Sequence, residues 1–141
     1  MIVLLVRHAR AGERSEWVGD DRHRPLDRKG RRHADGLVDH LAEYPVDRVL
    51  SSHAVRCTQT VVPLAAARGL EIEEAAELFE GSTDTDVLGL LESVDAECVV
   101  LCTHGDVIEE LVGEMLKKGT TEVLEHEDGR LRRVRHLGRP D

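Results

Sequence analysis

Aromatic side chains are nearly missing from this sequence: Trp17, Tyr44 and Phe79 are the only three in 141 residues. Core volume must then come from Val, Leu, Ile and Ala. The same scarcity disfavours a reader of single-stranded nucleic acid, which needs aromatic platforms for its bases. Positive charge is also short. Nineteen Lys and Arg stand against 28 Asp and Glu, a net charge of −9. No overall positive field exists to hold a nucleic acid polymer or an anionic membrane. An anion can still be bound, but only in a local pocket. The three cysteines, Cys57, Cys98 and Cys102, are odd in number and form no Cys-x-x-Cys, which argues against a disulfide scaffold. Cys98 and Cys102 lie in an apolar run and read as buried small hydrophobes. No apolar run approaches the ~18 residues a membrane span requires. Met1 to Val6 is too short and wrongly flanked for a signal peptide. The expectation is one cytoplasmic domain over 1–141.

What is present alternates. Ile2 to Val6, Val46 to Leu50 and Cys98 to Cys102 read as buried strands, with Leu70 to Glu74 as a shorter one. Helices are expected from Asp27, as N-cap, to Pro45; from His53 to Arg68, with Pro63 kinking or shortening it; from Asp86 to Val94; and from Asp106 to Lys117, ended by Gly119. Thr121 to His126 and Arg130 to His136 flank Glu127-Asp128-Gly129, a hairpin signal. Arg7 to Arg24 and Ala75 to Thr85 read as loops. Strands alternating with helices indicate an α/β domain with a mainly parallel central sheet.

Three of the strands end in chemistry: Arg7-His8; Ser51-Ser52, with Arg56 one turn further; and Thr103-His104-Gly105. Open α/β sheets bind ligands outside the carboxyl ends of their strands, so two histidines and two arginines should converge there. Guanidiniums suit phosphate, and helix starts after Ser52 and Gly105 aim free N–H groups at the same edge. The histidines offer a nucleophile and a charge partner. No G-x-x-x-x-G-K and no H-E-x-x-H is present. The set favours phosphoryl transfer through histidine over ATP binding or zinc hydrolysis. A metal reading of His8 and His104 is disfavoured by the arginines beside them. Arg10 and Arg14 are candidates for a second phosphate or an acid group of the substrate, and Trp17 for a base. Asp20-Asp21 read as turn solvation. Cys57 lacks the following arginine of a C-x-x-x-x-x-R loop and is not read as a nucleophile.

Leu5-Val6-Arg7-His8-Ala9, Ser51-Ser52-His53-Ala54-Val55-Arg56-Cys57-Thr58-Gln59-Thr60, Thr103-His104-Gly105-Asp106 and Arg24-Pro25-Leu26 with Gly30 together resemble the motifs of the histidine phosphatase superfamily. The order is right and nearly the whole chain is covered. The size and the Trp17 to Leu26 segment look most like short SixA-type phosphatases and the phosphatase domain fused to some Nudix hydrolases. The resemblance implies a phosphoglycerate-mutase-like three-layer sandwich with helices on both faces of the sheet. It implies His8 as nucleophile, with Arg7, Arg56 and His104 holding the phosphoryl oxygens, and no metal or other cofactor. Ser52 and Gly105 would border the phosphate. Leu78-Phe79-Glu80-Gly81 makes Glu80 the candidate proton donor and Glu77 the runner-up; short relatives sometimes lack this acid. His53 could line the pocket. The expected substrate is a phosphorylated small molecule, a nucleotide or a phosphohistidine protein. A phosphoprotein-binding module without turnover is the alternative, and the domain is too small for a mutase that must shield its intermediate from water.

Overall fold

A computed structural model describes residues 1–140; the last position of the expected 1–141 span lies outside the described residues. Its strands are β1 (Ile2–Arg7), β2 (Arg48–Ser51), β3 (Ile72–Glu74), β4 (Cys98–Thr103), β5 (Thr121–Glu127) and β6 (Arg130–Leu137). Its helices are α1 (Arg28–His40), α2 (Val55–Arg68), α3 (Asp84–Ser93) and α4 (Gly105–Val112). The six strands form one sheet in the order β3-β2-β4-β1-β5-β6. β3, β2, β4 and β1 are parallel, and β5 and β6 join antiparallel at one edge. The mainly parallel α/β sandwich expected from the sequence is what forms.

The layering follows from strand periodicity, since successive side chains point to opposite faces. Leu4, Val6, Val49, Val100 and Cys102 pack with Leu37 of α1 and Cys57, Val61 and Leu64 of α2. Val3, Leu5, Leu50, Val99 and Leu101 pack on the other face with Val87 and Leu91 of α3 and Val107 and Ile108 of α4. Two apolar faces explain why these strands read as continuous hydrophobic runs. Each fully buried Val or Leu contributes about 1.5–3 kcal/mol relative to exposure.

Several boundaries differ from the sequence reading. Helix α1 is capped as expected, with Asp27 accepting from the Gly30 N–H at 2.8 Å, but it ends at His40, before Pro45. Pro63 does not break α2, which continues to Arg68 and closes on Gly69 at φ +65°. The loop-like stretch after Ala75 contains a 3-10 turn, Ala76–Leu78, and α3 starts at Asp84 because Thr83 and Asp86 make a reciprocal capping box. The largest correction concerns α4. It stops at Val112, and Gly113 at φ +83° turns the chain away. The apolar period had continued to Leu116, which is indeed buried against the α4 face, but from an irregular segment. Asp128 and Gly129 both have positive φ, 51° and 73°, as a two-residue hairpin turn with the sheet's twist requires.

Candidate active site

Backbone pairing brings the three strand ends together. Arg7 of β1 is in register with Thr103 of β4, and Ser51 of β2 with Cys102. One residue further, the His8 N–H donates to the Thr103 carbonyl at 3.1 Å and the Ser52 N–H to the Cys102 carbonyl at 2.9 Å. The rings of His8 and His104 consequently stand 5.5 Å apart, edge to face. Arg7, His8 and His104 line one open cavity of about 460 Å³, together with Glu80 and Gly105.

His8 is held in a single tautomer. Its Nδ1 lies 2.8 Å from the Ala9 carbonyl. A carbonyl only accepts, so Nδ1 carries the hydrogen and Nε2 keeps its lone pair. Burial, first, and then the charges of His104, Arg56 and Arg7 pull the His8 pKa down to about 3, with the Ala9 hydrogen bond opposing them. The ring is thus neutral in the folded protein where an unfolded histidine already takes up a proton. Unfolded chains bind the extra proton between the ordinary value of 6.5 and about 3, so stability is lost as pH falls through that window. The expected loss from His8 between neutrality and pH 5 is about 2 kcal/mol. Urea unfolding of wild type and His8→Asn at both pH values checks this; equal losses in the two proteins would contradict it.

Arg56, in the first turn of α2, is 1% exposed. Its Nη1 donates to the Asp21 carbonyl at 2.8 Å and its Nη2 to Glu80 Oε1 at 2.6 Å, and His104 Nδ1 lies 3.5 Å from Nη2. Arg14 Nη2 donates to the same Glu80 oxygen at 2.6 Å, and His104 Nδ1 is 3.4 Å from it. Two guanidiniums and an imidazole therefore meet on one carboxylate oxygen. The buried Nε atoms of Arg7 and Arg56 have no hydrogen-bond partner among the described residues. Unused buried guanidinium donors are rare in proteins and are what an oxyanion would engage. On the far side of His104, Ser52 Oγ sits 2.8 Å from Nε2. Arg7 is braced by a hydrogen bond to the Leu116 carbonyl and presses on Gly105, where a Cβ would come within 2.5 Å of Met115 Sδ and 2.9 Å of the guanidinium carbon, so a larger residue would have to displace both side chains.

Other sequence candidates fall elsewhere. Arg10 does not reach the cavity; its Nε pairs with Asp27 at 2.8 Å and its carbonyl packs on Gly30. Arg14 does line the cavity. Trp17 donates to the Asp20 carbonyl, is 38% exposed, and borders a separate groove that shares Gly12, Glu13 and Arg24 with the main cavity. Glu77 sits in the 3-10 turn and His53 stacks on Phe79 at 4.5 Å; neither borders the cavity. Cys57 is fully buried, 3.6 Å from His104 Nε2. Burial works against its thiolate, but hydrogen bonds from Cys102 and His104 and the charges of His104 and Arg56 outweigh that and pull its pKa below the ordinary thiol value. With no exposed surface it stays behind the site.

The sequence profile of the histidine phosphatase superfamily (branch 1) matches residues 3–87. The chain belongs to that superfamily. It is 37% identical over 99% of its length to the 8-oxo-(d)GTP phosphatase of Mycolicibacterium smegmatis, of which it spans only about half, 48%. It is 28% identical over 84% of its length to the phosphohistidine phosphatase SixA homolog of Haemophilus influenzae, covering 79% of that protein. The solved protein histidine phosphatase SixA complexed with tungstate superposes with a TM-score of 0.83 over 97% of this chain and 96% of that one, at 22% identity. That last likeness is one of fold.

Sequence reasoning missed much of this site's support. Asp21 does more than solvate a turn: its carboxylate contacts Arg14 and Arg56 at 3.2 Å and Arg24 at 2.9 Å. Burial opposes its charge, but the Arg24 hydrogen bond and the charges of Arg56, Arg24 and Arg14 outweigh it and pull its pKa below normal. Thr60 and Gln59 of α2 accept from the Ala9 and Leu26 N–H groups at 3.0 and 2.8 Å, which ties both ends of the first loop to the helix that carries Arg56. Lys118 lines the cavity as well. The Leu26–Gln59, Asp21–Arg56 and Ala9–Thr60 contacts span 33, 35 and 51 positions, and local patterns carry no signal of them.

Proposed function

We propose that this domain is a metal-independent phosphatase that works through a phosphohistidine on His8. The observation that carries the reading is the His8 tautomer, which presents a neutral Nε2 beside Arg7, Arg56 and His104. The Nε2 lone pair attacks phosphorus in line and the leaving oxygen departs with its electron pair. Water then cleaves the P–N bond, releasing phosphate and restoring His8. Arg7, Arg56 and His104 neutralise the oxygens, the service a metal would otherwise provide. Relatives named for 8-oxo-(d)GTP and for phosphohistidine support phosphorylated substrates of either kind. The test is to quench turnover in alkaline denaturant, in which a P–N bond survives. One phosphoryl group on His8, formed with chelator present, is the expected result. Phosphate release with no labelled protein would overturn it and favour direct attack by water.

Glu80 is proposed as the proton donor for poor leaving groups. Its Oε1 is fixed by Arg56 and Arg14, which leaves Oε2 to face the departing oxygen. Glu80→Gln should lower kcat/KM about 10²-fold on an alkyl phosphate and far less on p-nitrophenyl phosphate, whose leaving group needs no proton. Equal losses on both substrates would remove Glu80 from that role.

A further inference from the structure

We propose that the cavity contains a second anion subsite, built from Lys118 and Arg24, and that the substrate is a phosphoanhydride whose second phosphate lies there. The proposal rests on the phosphatase reading above and names the substrate class. Its basis is the path of the chain after α4. Having left the helix at Gly113, the backbone crosses the end of β1. The Gly119 N–H is shared between the carbonyls of Arg7 and His8, at 3.1 Å each, and the Arg7 N–H donates to Thr120 at 3.0 Å. Gly119 has φ +79°, a conformation that glycine adopts without strain. Lys118, the residue before it, is thereby fastened beside the nucleophile rather than carried on a free loop.

Lys118 lines the cavity with Arg7, His8 and Arg24. No acidic group among the described residues lies within ion-pair distance of its ammonium. Arg24 is buried, with Nε on Asp21 and Nη1 on the Ala11 carbonyl, and its Nη2 has no partner among the described residues. Arg14 is held by Glu80 and Asp21 and Arg7 Nη1 by Leu116, and the free Arg7 Nε belongs to the phosphoryl site described above. The Lys118 ammonium and the Arg24 Nη2 remain as donors next to that site. Burial first, then the charges of Arg7, Arg24 and Arg10, lower the Lys118 pKa, with Glu13 opposing. A half-buried cation crowded by cations is stabilised by an anion between them.

The chemistry fits. As the His8 Nε2–P bond forms, the P–O bond to the bridging oxygen breaks and the electron pair stays on that oxygen. The departing phosphate gains one negative charge beside Lys118 and needs no proton. Water then releases the first phosphate, and the proton from that water goes to solvent.

Ligand binding reads the subsite without turnover. The dissociation constants of methylenediphosphonate, which cannot be hydrolysed at its bridge, and of inorganic phosphate are measured by calorimetry on the full chain. Wild type should prefer the diphosphonate, and Lys118→Ala should cut that preference about tenfold. Lys118→Arg should restore most of it. Lys117→Ala, which removes a neighbouring charge outside this cavity, should leave the ratio as it was. No preference in wild type, or equal weakening of both ligands by Lys118→Ala, would overturn the proposal. Failure of the phosphatase reading looks different: no phosphohistidine forms while the preference persists, which still supports the subsite.

Discussion

His8→Ala will lower kcat by at least about 10⁴-fold while the protein stays folded and still binds phosphate. The size follows from the absence of a substitute. Removing the nucleophile of a covalent mechanism forfeits the whole route and leaves only what positioning and charge can do for direct attack by water. His104 cannot take over, because Ser52 Oγ engages one ring nitrogen and Arg56 and Glu80 bracket the other. Cys57 cannot either, being fully buried. The groups proposed to hold the oxyanion remain in place, so the dissociation constant of inorganic phosphate should change by less than about tenfold. Folding should suffer little, since His8 is a polar ring among cations, the ring's only described hydrogen bond is to the adjacent Ala9, and its backbone hydrogen bonds survive the substitution. Single-turnover rates, calorimetric phosphate binding and thermal unfolding measure the three effects. A residual rate within about tenfold of wild type would show that His8 only binds. That outcome would favour direct attack by water on a phosphate held in the cavity.

The parts legible in the sequence were those set by short-range pattern. Val3 to Val6 and Cys98 to Cys102 read as strands buried on both faces, and each fills both apolar clusters. The expectation that ligand-binding groups gather at strand ends needs only the rule for parallel sheets, and the register of β1 with β4 does place Arg7 opposite Thr103. The failures share a cause as well. Val107 to Leu116 kept a helical period through Gly113, and period alone cannot tell a helix from an irregular segment that buries the same face. Arg10 and Arg14 sit four positions apart in one polar loop, yet one pairs with Asp27, the N-cap of α1, and the other enters the cavity. Their difference lies in the fold of the loop, which is fixed by Gln59 and Thr60 far along the chain. Asp21 and Lys118 escaped notice for the same reason. A charged residue in a loop acquires meaning only from its distant partners.

Arg56→Met will separate stability from activity. Arg56 is a buried cation at the start of a helix, where it opposes the helix dipole, and no stability argument would place it there. Its guanidinium nonetheless joins three segments: the first loop through Asp21, the Phe79 to Gly81 turn through Glu80, and the β4 end through His104. Truncation leaves the Asp21 and Glu80 carboxylates short of a partner. Loss of one member of such a network costs about 3 kcal/mol, the lower end of the usual range because both carboxylates are about one-third exposed. The loss in kcat/KM should be larger in effect, on the order of 10³-fold, as expected when a charged donor to the oxyanion is removed. Arg56→Lys should recover part of the stability but little rate, since a single ammonium cannot span Asp21, Glu80 and the phosphoryl oxygens as a planar fork does. The decisive variant is Arg56→Met combined with Glu80→Gln. Neutralising the stranded carboxylate should return part of the urea midpoint, while the rate on p-nitrophenyl phosphate, whose leaving group needs no proton from Glu80, stays at the level of Arg56→Met. If the double variant regained activity along with stability, Arg56 would be a brace for Glu80 and not a ligand of the phosphoryl group.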